Sequence, residues 1–313
     1  MNPTRWTLPQ PPYALPPLNA MGLKPGRWVA FTSALRWWLG RPWRQDLVAA
    51  IAGDVALQRI TLEHATCLRP IIRGYQDRRI PIWQRPRIAT VDFLMASRCF
   101  SAHQKMEMAA HRLTRLADLD GGFELCLGLN DILPEEGIWA LSLRDAQGER
   151  VFQLAFGFHP GRQLVVGSVQ GGRASALLQP EQAAKTLTKL CHGLRPPALL
   201  VFALSELARQ WGCRAVTFVD PRFQAKSRWH RPPRHIRFDY TAMFRDHGMQ
   251  RTPSGNWRLP DVLPRKALTE VESRKRAMYR RRHAWMDALA ATLRETSHTP
   301  AAPALSVANL VRL

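Results

Sequence analysis

The residues with the clearest chemical potential lie where predicted strands and helices end. Gln170, Gly171 and Gly172 directly follow an apolar run over residues 164–169, which predicts a buried strand. Because glycine lets the backbone approach a ligand closely, these residues can present amides to a bound molecule. An ordinary turn has the same composition, so a ligand site and a turn both remain open.

A second group stands between two predicted helices, where His192, Gly193 and Arg195 precede a pair of prolines. Histidine titrates near neutral pH, and arginine binds phosphate or carboxylate groups through paired N–H donors. We predict that His192 is catalytic and that Gly193 and Arg195 bind a cofactor together with residues 170–172. We expect the two stretches to face one cleft. Helix capping is the alternative role for His192 and Arg195.

Glu135 and Glu136 are the carboxylates nearest to the end of a predicted strand. A carboxylate in such a place can act as a general base. Glu135 is therefore a further candidate catalytic residue. A solvated, charged loop is the alternative interpretation.

A basic helix is predicted near the C-terminus, over residues 267–295. Val271, Met278 and Trp285 recur at every seventh position, which predicts an apolar stripe that packs inward. Arginines and lysines occupy the rest of the surface, and we expect them to reach solvent. A solvated structural helix is the alternative. The predicted anion-binding set, which includes two lysines of an earlier helix, is Lys185, Lys189, Arg280, Arg281 and Arg282.

The overall charge points to an anionic partner. The 313 residues carry a formal net charge of +21 at pH 7, and 46% of them are hydrophobic, as in a folded globular protein. Such a charge favours a phosphorylated cofactor, an anionic lipid or RNA as the partner. Arginine that merely covers the surface is the alternative. The sequence has no zinc-finger or helix-turn-helix signature, so we do not expect sequence-specific DNA binding.

The cysteines and the N-terminal segments bear on location. The cysteines are scattered and odd in number, which is typical of reduced thiols in the cytoplasm, and we predict no metal site. Residues 1–26 are rich in proline and lack the apolar core of a signal peptide. Residues 28–39 are apolar and aromatic but too short to span a bilayer. They suit either a membrane interface or a helix docked on its own core. The sequence predicts a cytoplasmic protein, with peripheral contact at the inner membrane left open.

The order of predicted elements indicates an α/β protein with a helical N-terminal region and a mixed sheet. The predicted divisions are a leader over residues 1–26, a mainly helical region over 27–120, an α/β core over 121–262, a basic helix over 263–297 and a tail over 298–313.

Within the core, the sequence predicts a hairpin and then an α/β unit. Residues 138–143 and 150–158 have strand character and flank a tight turn. Helices over 181–191 and 198–211 then connect the apolar strand to another strand over 215–219. Strand, crossover helices and strand form the usual parallel arrangement.

Several motifs, taken together, resemble those of the VirK/YbjX family of bacterial proteins. The resemblance covers most of the chain after about Arg41. It implies a link to the bacterial envelope, to virulence and to resistance against cationic antimicrobial peptides, and it implies no established reaction. The motifs are Gln170-Gly171-Gly172, Lys185-x-Leu187-Thr188-Lys189, His192-Gly193-Leu194-Arg195-Pro196 and Arg274-Lys275-Arg276-x-x-Tyr279-Arg280-Arg281-Arg282.

The succession of core elements is also similar to that of GNAT-type acyltransferases. In that family, amides at a helix N-terminus hold the cofactor pyrophosphate, so the resemblance implies an acyl-CoA or acyl carrier protein thioester. Tyr240 becomes the candidate catalytic acid, although Phe244 holds the position of the family's tyrosine. Pro196 and Pro197 depart from the family's phosphate loop because proline has no amide donor. The alternative function is a non-enzymatic basic module that binds RNA, anionic lipid or a protein partner.

Overall fold

A computed structural model describes residues 27–39, 44–172, 179–225 and 238–296, and it shows an eight-stranded mixed sheet flanked by helices. The predicted α/β class is confirmed. The predicted leader and tail fall outside the described residues.

Helices form the N-terminal part of the described chain. Two of them begin at conventional caps. The Asp54 carboxylate accepts the amides of Ala56 and Leu57, and Ser101 forms a capping box with Gln104. Among the described helices, here and in the rest of the chain, none combines the length and the apolarity that crossing a bilayer requires. The N-terminal helices are α1 (Arg27–Leu39), α2 (Gln45–Ala52), α3 (Val55–Glu63), α4 (Arg69–Arg73), α5 (Arg85–Cys99) and α6 (Ala102–Ala109).

The predicted helical region extends too far toward the C-terminus. Helix α6 ends at Ala109, and Thr114–Leu119 forms strand β1, which pairs antiparallel with the next segment. Leu116 and Leu119 are buried in this pairing. The strand exists because a neighbouring strand satisfies its backbone, and a helical spacing of apolar residues does not reveal such a partner.

The strands lie in the order β1-β2-β3-β4-β5-β6-β8-β7. Of the described pairs, β5 with β6 is parallel and the others are antiparallel. The predicted hairpin is present as β3 and β4. In its turn, the Asp145 carboxylate accepts the amides of Gln147 and Glu149. The remaining strands are β2 (Phe123–Leu129), β3 (Trp139–Arg144), β4 (Arg150–His159), β5 (Gln163–Gly171), β6 (Ala215–Phe218), β7 (Gln250–Arg251) and β8 (Trp257–Arg258).

Two helices cross from β5 to β6, as the sequence predicts. The second of them is almost fully buried and packs on β3 and β4. The basic C-terminal helix packs on this crossover helix and on β1. Its innermost residues are Met286, Leu289, Ala290 and Leu293. The helices of this half are α7 (Pro180–Leu190), α8 (Pro196–Gln210), α9 (Tyr240–Asp246) and α10 (Ser273–Thr296).

The two faces of the sheet differ in chemistry. Residues directly opposite each other on neighbouring strands share a face, and adjacent residues of a strand point to opposite faces. One row across β2, β3, β4 and β5 is aliphatic and consists of Leu127, Leu141, Leu154 and Val169. The adjacent row, on the other face, consists of Cys126, Ser142, Gln153 and Gln170. A polar row is therefore enclosed on one side of the sheet.

Gln76 joins the helical region to the sheet. It is fully buried and has a left-handed backbone with φ 56°. Its amide nitrogen donates to the Glu135 carbonyl, and its carbonyl accepts the Ala225 amide. Its side chain donates to the Val165 carbonyl and contacts a ring nitrogen of His159. These bonds satisfy a segment that would otherwise bury unpaired polar groups.

Asp92 makes a second connection between the helices and the sheet. Its carboxylate is fully buried and accepts three hydrogen bonds, from the Tyr75 hydroxyl (2.6 Å), the Trp139 indole (2.7 Å) and the Phe158 amide (2.9 Å). Burial raises the pKa of Asp92 to about 7, although all three donors favour the ionised form. Helix α5 is thus held against β3 and β4 by one titratable group.

Arg69 and Glu135 form a buried ion pair with 2.6 Å between Nη2 and Oε1. The Arg69 side chain is fully buried, and Nε and Nη1 of Arg69 and Oε2 of Glu135 have no hydrogen-bond partner in the described structure. Desolvation of two ions with incomplete hydrogen bonding offsets much of their attraction. The pair therefore contributes little net stability while intact, but each partner depends on the other.

We predict that Asp92 makes stability depend on pH. In the unfolded chain its pKa returns to about 3.9, so between about pH 4 and 7 the folded protein binds this proton more tightly. The Asp92 contribution to the unfolding free energy therefore falls as pH rises through this range. The total fall is roughly 1.4 kcal/mol for each unit by which the folded pKa exceeds the unfolded pKa. Urea unfolding of the parent and of Asp92→Asn at several pH values tests this. A stability difference between the two proteins that does not change with pH would contradict it.

We predict opposite outcomes for single and double replacement of the ion pair. Arg69→Met leaves the Glu135 carboxylate buried and uncompensated, and should lower the unfolding free energy by about 3–5 kcal/mol. Adding Glu135→Leu should recover most of this loss, because two apolar side chains of similar volume replace two desolvated ions. Denaturant titrations of the three proteins test the prediction. A double variant as unstable as Arg69→Met would show that the pair is strongly stabilising.

Candidate functional site

The carboxyl ends of the parallel strands diverge. Residues 163–166 of β5 pair with residues 215–218 of β6, and β5 then continues to Gly171 without β6 beside it. The Tyr240 hydroxyl takes the vacated place, since it accepts the Val169 amide (2.9 Å) and donates to the Val169 carbonyl (3.1 Å). Ligands of α/β sheets commonly bind where neighbouring strands part at their carboxyl ends. This edge is the first candidate site.

A loop held by Asn130 brings carboxylates to this edge. The buried Asn130 amide group donates to the carbonyls of Leu133 and Gly137, and its oxygen accepts the Gln153 side chain. Gly137 lies so close to the backbone of Phe156 that a β-carbon would come within 2.6 Å of its nitrogen. The short turn Pro134–Glu136 is therefore fixed against the polar face of the sheet.

Glu136, rather than Glu135, meets the strand-end residues. The Gln170 amide group donates to the Glu136 carboxylate (2.6 Å) and to the Ser168 hydroxyl (3.2 Å). A β-carbon at Gly167 would lie 1.8 Å from the Glu136 carbonyl oxygen, so only glycine permits this approach. Glu136 and Ser168 are buried, and Gln170 is half-buried. We name Glu136, Ser168 and Gln170 the strand-end cluster.

Tyr240 lies beside this cluster at the start of α9. The Asp239 carboxylate caps the helix by accepting the Ala242 amide, which positions Tyr240 in the first turn. Burial raises the pKa of Tyr240, and the nearby charge of Glu136 raises it further. Its hydroxyl is already bonded to the backbone of Val169. In the structure Tyr240 stabilises the divergence of the strands.

Glu135 points to the helical region, where Arg69 binds it. Its carboxylate is therefore not the group that contacts Gln170. In the structure it is the neighbouring Glu136 that meets the strand end, and a catalytic role for Glu135 stays a prediction.

Two further buried carboxylates lie at the carboxyl end of β6 and escaped the sequence analysis. Asp77 accepts a bond from Arg79 (2.6 Å), and Asp220 accepts one from Arg222 (2.9 Å). Asn256 connects them, because its amide group donates to Asp77 and its oxygen accepts the Asp220 amide. Burial opposes ionisation of both acids. Hydrogen bonds from Arg79 to Asp77 and from Arg222 to Asp220 outweigh it, and both pKa values are lowered.

The signal for Asp220 was present in the sequence, since it directly follows a predicted strand. Nothing local marked Asp77, whose partner Asn256 is 179 positions away. This network ties the segment after α4 to the end of the sheet and leaves parts of Arg79 and Arg222 exposed.

Two of the predicted cofactor glycines do not offer free amides. The Gly172 amide donates to the Val151 carbonyl, and the Gly193 amide donates to the Thr188 carbonyl. Gly171 lies opposite Phe152 in the register of the sheet, which does not by itself engage its amide. The prediction that the amides of Gly172 and Gly193 form a cradle for a ligand is therefore wrong, because both amides donate to carbonyls inside the fold.

His192 and Arg195 occupy a different place from Gln170. His192 ends α7 in a left-handed conformation with φ 52°, and Arg195 precedes α8 and is exposed. Gln170 instead bonds Glu136 and Ser168 at the end of β5. Residues 173–178, which follow Gly172, lie outside that description. The single cleft expected from the sequence stays a prediction.

The turn at His192 instead contacts α10. The Arg282 guanidinium donates to the His192 carbonyl (2.9 Å) and lies over the Tyr279 ring, and Gly193 lies against Met278. Arg282 is therefore half-buried, which corrects the expectation that it reaches solvent with its neighbours. We give the name basic corner to five exposed cations of this turn and of helices α7 and α10, which are Lys185, Lys189, Arg195, Arg280 and Arg281.

The exposed members of the basic corner have no acidic partner among the described residues. The ion pairs of this helix instead involve Glu272, which binds Arg274 and Lys275, and Asp287, which binds Arg265. The corner therefore keeps its positive charge. The lysines that the sequence proposed as anion-binding residues lie on α7 and the arginines lie on α10, and a shared anion site stays a prediction.

The remaining candidate chemistry is absent from the described structure. No group of three or more potential metal ligands occurs among the described residues. All of the cysteines are free. Burial raises the pKa of Cys191 and of Cys213 to about 12, so these thiols remain protonated and unreactive.

Comparison with known proteins gives a consistent set of relatives. An uncharacterized protein of Haemophilus influenzae is 26% identical over 259 residues, which cover 82% of this chain and 87% of the relative. YbjX of Escherichia coli is 28% identical over 56% of this chain and 55% of its own length. Membrane protein LapB of Mannheimia haemolytica is 29% identical over 50% of this chain and 68% of its own length. No solved structure matches significantly, so the likeness to GNAT acyltransferases stays a prediction.

A family model described as "Protein of unknown function (DUF535)" matches residues 27–295, which includes both the strand-end cluster and the basic corner. YbjX is among the relatives, as the motifs around residues 170–195 and 274–282 predicted. The chain belongs to this family, and its resemblance to VirK/YbjX proteins is confirmed.

Proposed function

We propose that this protein is associated with the bacterial envelope and binds phosphate-bearing ligands through the basic corner. Family membership supports the first part, because the family resemblance implies a link to the envelope and one relative is named a membrane protein. The structure supports the second part through the arrangement of charges.

The contact between Arg282 and the His192 carbonyl is the observation that carries the proposal. It joins α10 to the end of α7, and these are the two helices that carry most of the charges of the basic corner. Exposed guanidinium groups bind phosphate through paired donors, and lysines add charge.

The form of the corner favours an array of phosphates over one small cofactor. The amide of Gly193 is bonded within the helix end, and Pro196 and Pro197 lack amide donors. The binding groups are therefore flexible side chains on an open surface. Such groups gain affinity by contacting several phosphates at once, and they release counterions when they do.

We predict that replacing Lys185, Lys189, Arg280 and Arg281 with Gln weakens binding to phosphate arrays. Each basic residue near an anionic surface contributes on the order of 1 kcal/mol, so affinity should fall at least about tenfold at low salt. The loss should shrink as salt rises, because salt screens exposed charges. Binding to single-stranded RNA, to phosphatidylglycerol vesicles and to free coenzyme A, measured separately, identifies which source of phosphate is preferred.

The matched control replaces Arg59, Arg87, Arg98 and Arg214 with Gln. These residues are exposed and have no acidic partner among the described residues. Their replacement removes the same amount of charge as the four substitutions in the basic corner. Both variants should keep the parent's melting temperature, since exposed substitutions change stability by less than about 0.5 kcal/mol. Equal losses of binding in both variants would attribute the effect to net charge and sink the proposal.

A second candidate function is acyl transfer from a thioester cofactor. The observation that favours it is the divergence of β5 and β6 next to a buried carboxylate, Glu136, which is bonded to Gln170. A carboxylate in that position can accept a proton from an attacking amine or hydroxyl group. Arg195 would contribute charge for the cofactor phosphates.

We predict for this candidate that the protein binds an acyl-CoA and that Arg195→Ala weakens binding by roughly 1.5–3 kcal/mol, the value of one charge-assisted contact. Glu136→Gln should abolish turnover while leaving cofactor affinity unchanged, because the amide preserves shape but cannot act as a base. Calorimetric titration and a thiol-release assay supply the two measurements. Absence of acyl-CoA binding by the parent protein would exclude this candidate and leave the basic corner unaffected.

A further inference from the structure

Helix α1 exposes a ridge of large apolar side chains. The exposed fractions are 58% for Phe31, 41% for Leu35, 66% for Trp38 and 51% for Leu39. Residues three and four positions apart occupy neighbouring places on a helix surface, so the four side chains form one stripe. A stripe of this kind on a short helix is a costly surface to leave in water.

The opposite side of α1 is attached to the protein, which gives the ridge a fixed direction. Ser33 is buried, and Trp37 packs against the core. The Arg36 guanidinium donates to the Ile72 carbonyl at the end of α4, and the Arg44 guanidinium lies 3.8 Å from the centre of the Trp37 ring. The ridge is therefore the outward face of a docked helix.

The charge of the sequence that contains the ridge indicates what covers it. From Met1 to Gln45 the sequence has no acidic residue, and the first is Asp46. The basic residues of the same stretch are Arg5, Lys24, Arg27, Arg36, Arg41 and Arg44. An apolar ridge within a purely basic stretch is complementary to the boundary of an anionic bilayer, where acyl chains adjoin negative headgroups.

The residue types suit that boundary. Tryptophan is enriched at membrane–water interfaces because its ring is apolar and its N–H remains hydrated, and arginine extends its charged end toward the headgroups. A protein–protein contact would have no need of a sequence without acidic residues on both sides of the ridge.

We infer that α1 seats the protein on an anionic bilayer, with Leu35, Trp38 and Leu39 inserted below the phosphate groups. This goes beyond the proposed phosphate binding and does not depend on it, because α1 packs on α4 whereas α10 packs on α8 and β1. Seating by α1 leaves the basic corner to hold a phosphate-bearing ligand of its own.

The test uses the full chain and vesicles of phosphatidylglycerol mixed with phosphatidylcholine. Trp38→Ser combined with Leu39→Ser should reduce co-sedimentation with vesicles at least about tenfold, even at high salt, where exposed charges are screened. The matched control is Leu62→Ser with Trp83→Ser, whose parent side chains are 52% and 58% exposed on other elements. The control should bind vesicles as the parent does.

A second measurement reports how deeply Trp38 enters the bilayer. Lipids brominated on the acyl chains should quench part of the parent's tryptophan fluorescence. Trp38→Phe should keep vesicle binding, because phenylalanine also inserts into the bilayer. It should lose most of the quenching, because the tryptophan that the brominated lipids quench has been removed. The variant that lacks the four basic-corner charges should retain the quenching, which separates failure of this inference from failure of the proposed function.

Three results would overturn the inference. One is unchanged vesicle binding by the Trp38→Ser, Leu39→Ser variant with an unchanged melting temperature. Another is full quenching in Trp38→Phe. The third is a parent protein that sediments as a dimer and a ridge variant that sediments as a monomer, which would assign the ridge to a second copy of the chain.

Discussion

The structure depends on the burial of Gln76 between the helical region and the sheet. A fully buried amide side chain and a left-handed backbone are tolerated there because every polar group of the residue has a partner. Those partners come from the Glu135 loop, from β5, from β4 and from the segment after β6. One residue thus sets the relative positions of the elements that surround the strand ends.

Asp92 and the Arg69–Glu135 pair show the same principle with charged groups. In each case a buried polar side chain fixes a helix against the sheet, and in each case burial opposes the charge that makes the contact. Purely apolar side chains would hold the layers together with less penalty, but they would not specify one register. The polar contacts therefore define geometry more than they add stability.

The two candidate sites differ in their physical character. The strand-end cluster is enclosed, and glycine at position 167 allows the Glu136 backbone to approach it. The basic corner is open and consists of charged side chains, among which Arg282 is fixed by its bond to the His192 carbonyl. An enclosed carboxylate suits proton transfer, whereas an open set of cations suits electrostatic docking on phosphates.

The sequence alone determined the features that short-range patterns encode. Helical spacing predicted α7, α8 and the basic C-terminal helix, turn residues predicted the hairpin of β3 and β4, and local motifs identified the family. It located the Glu135–Glu136 loop because paired carboxylates near a strand end are visible in one dimension. It misassigned β1, because a strand depends on a partner rather than on its own periodicity.

Only the tertiary structure decided which of these residues meet. Glu136 faces Gln170 while Glu135 turns to Arg69, a choice made by the path of a loop over the sheet. The amides of Gly172 and Gly193 are used by bonds inside the fold. The Asp77 carboxylate accepts a hydrogen bond from Asn256, which is 179 positions away in the sequence. Sequence patterns report neighbours within a few residues, whereas hydrogen-bond partners and charge clusters depend on contacts between distant segments, which packing alone determines.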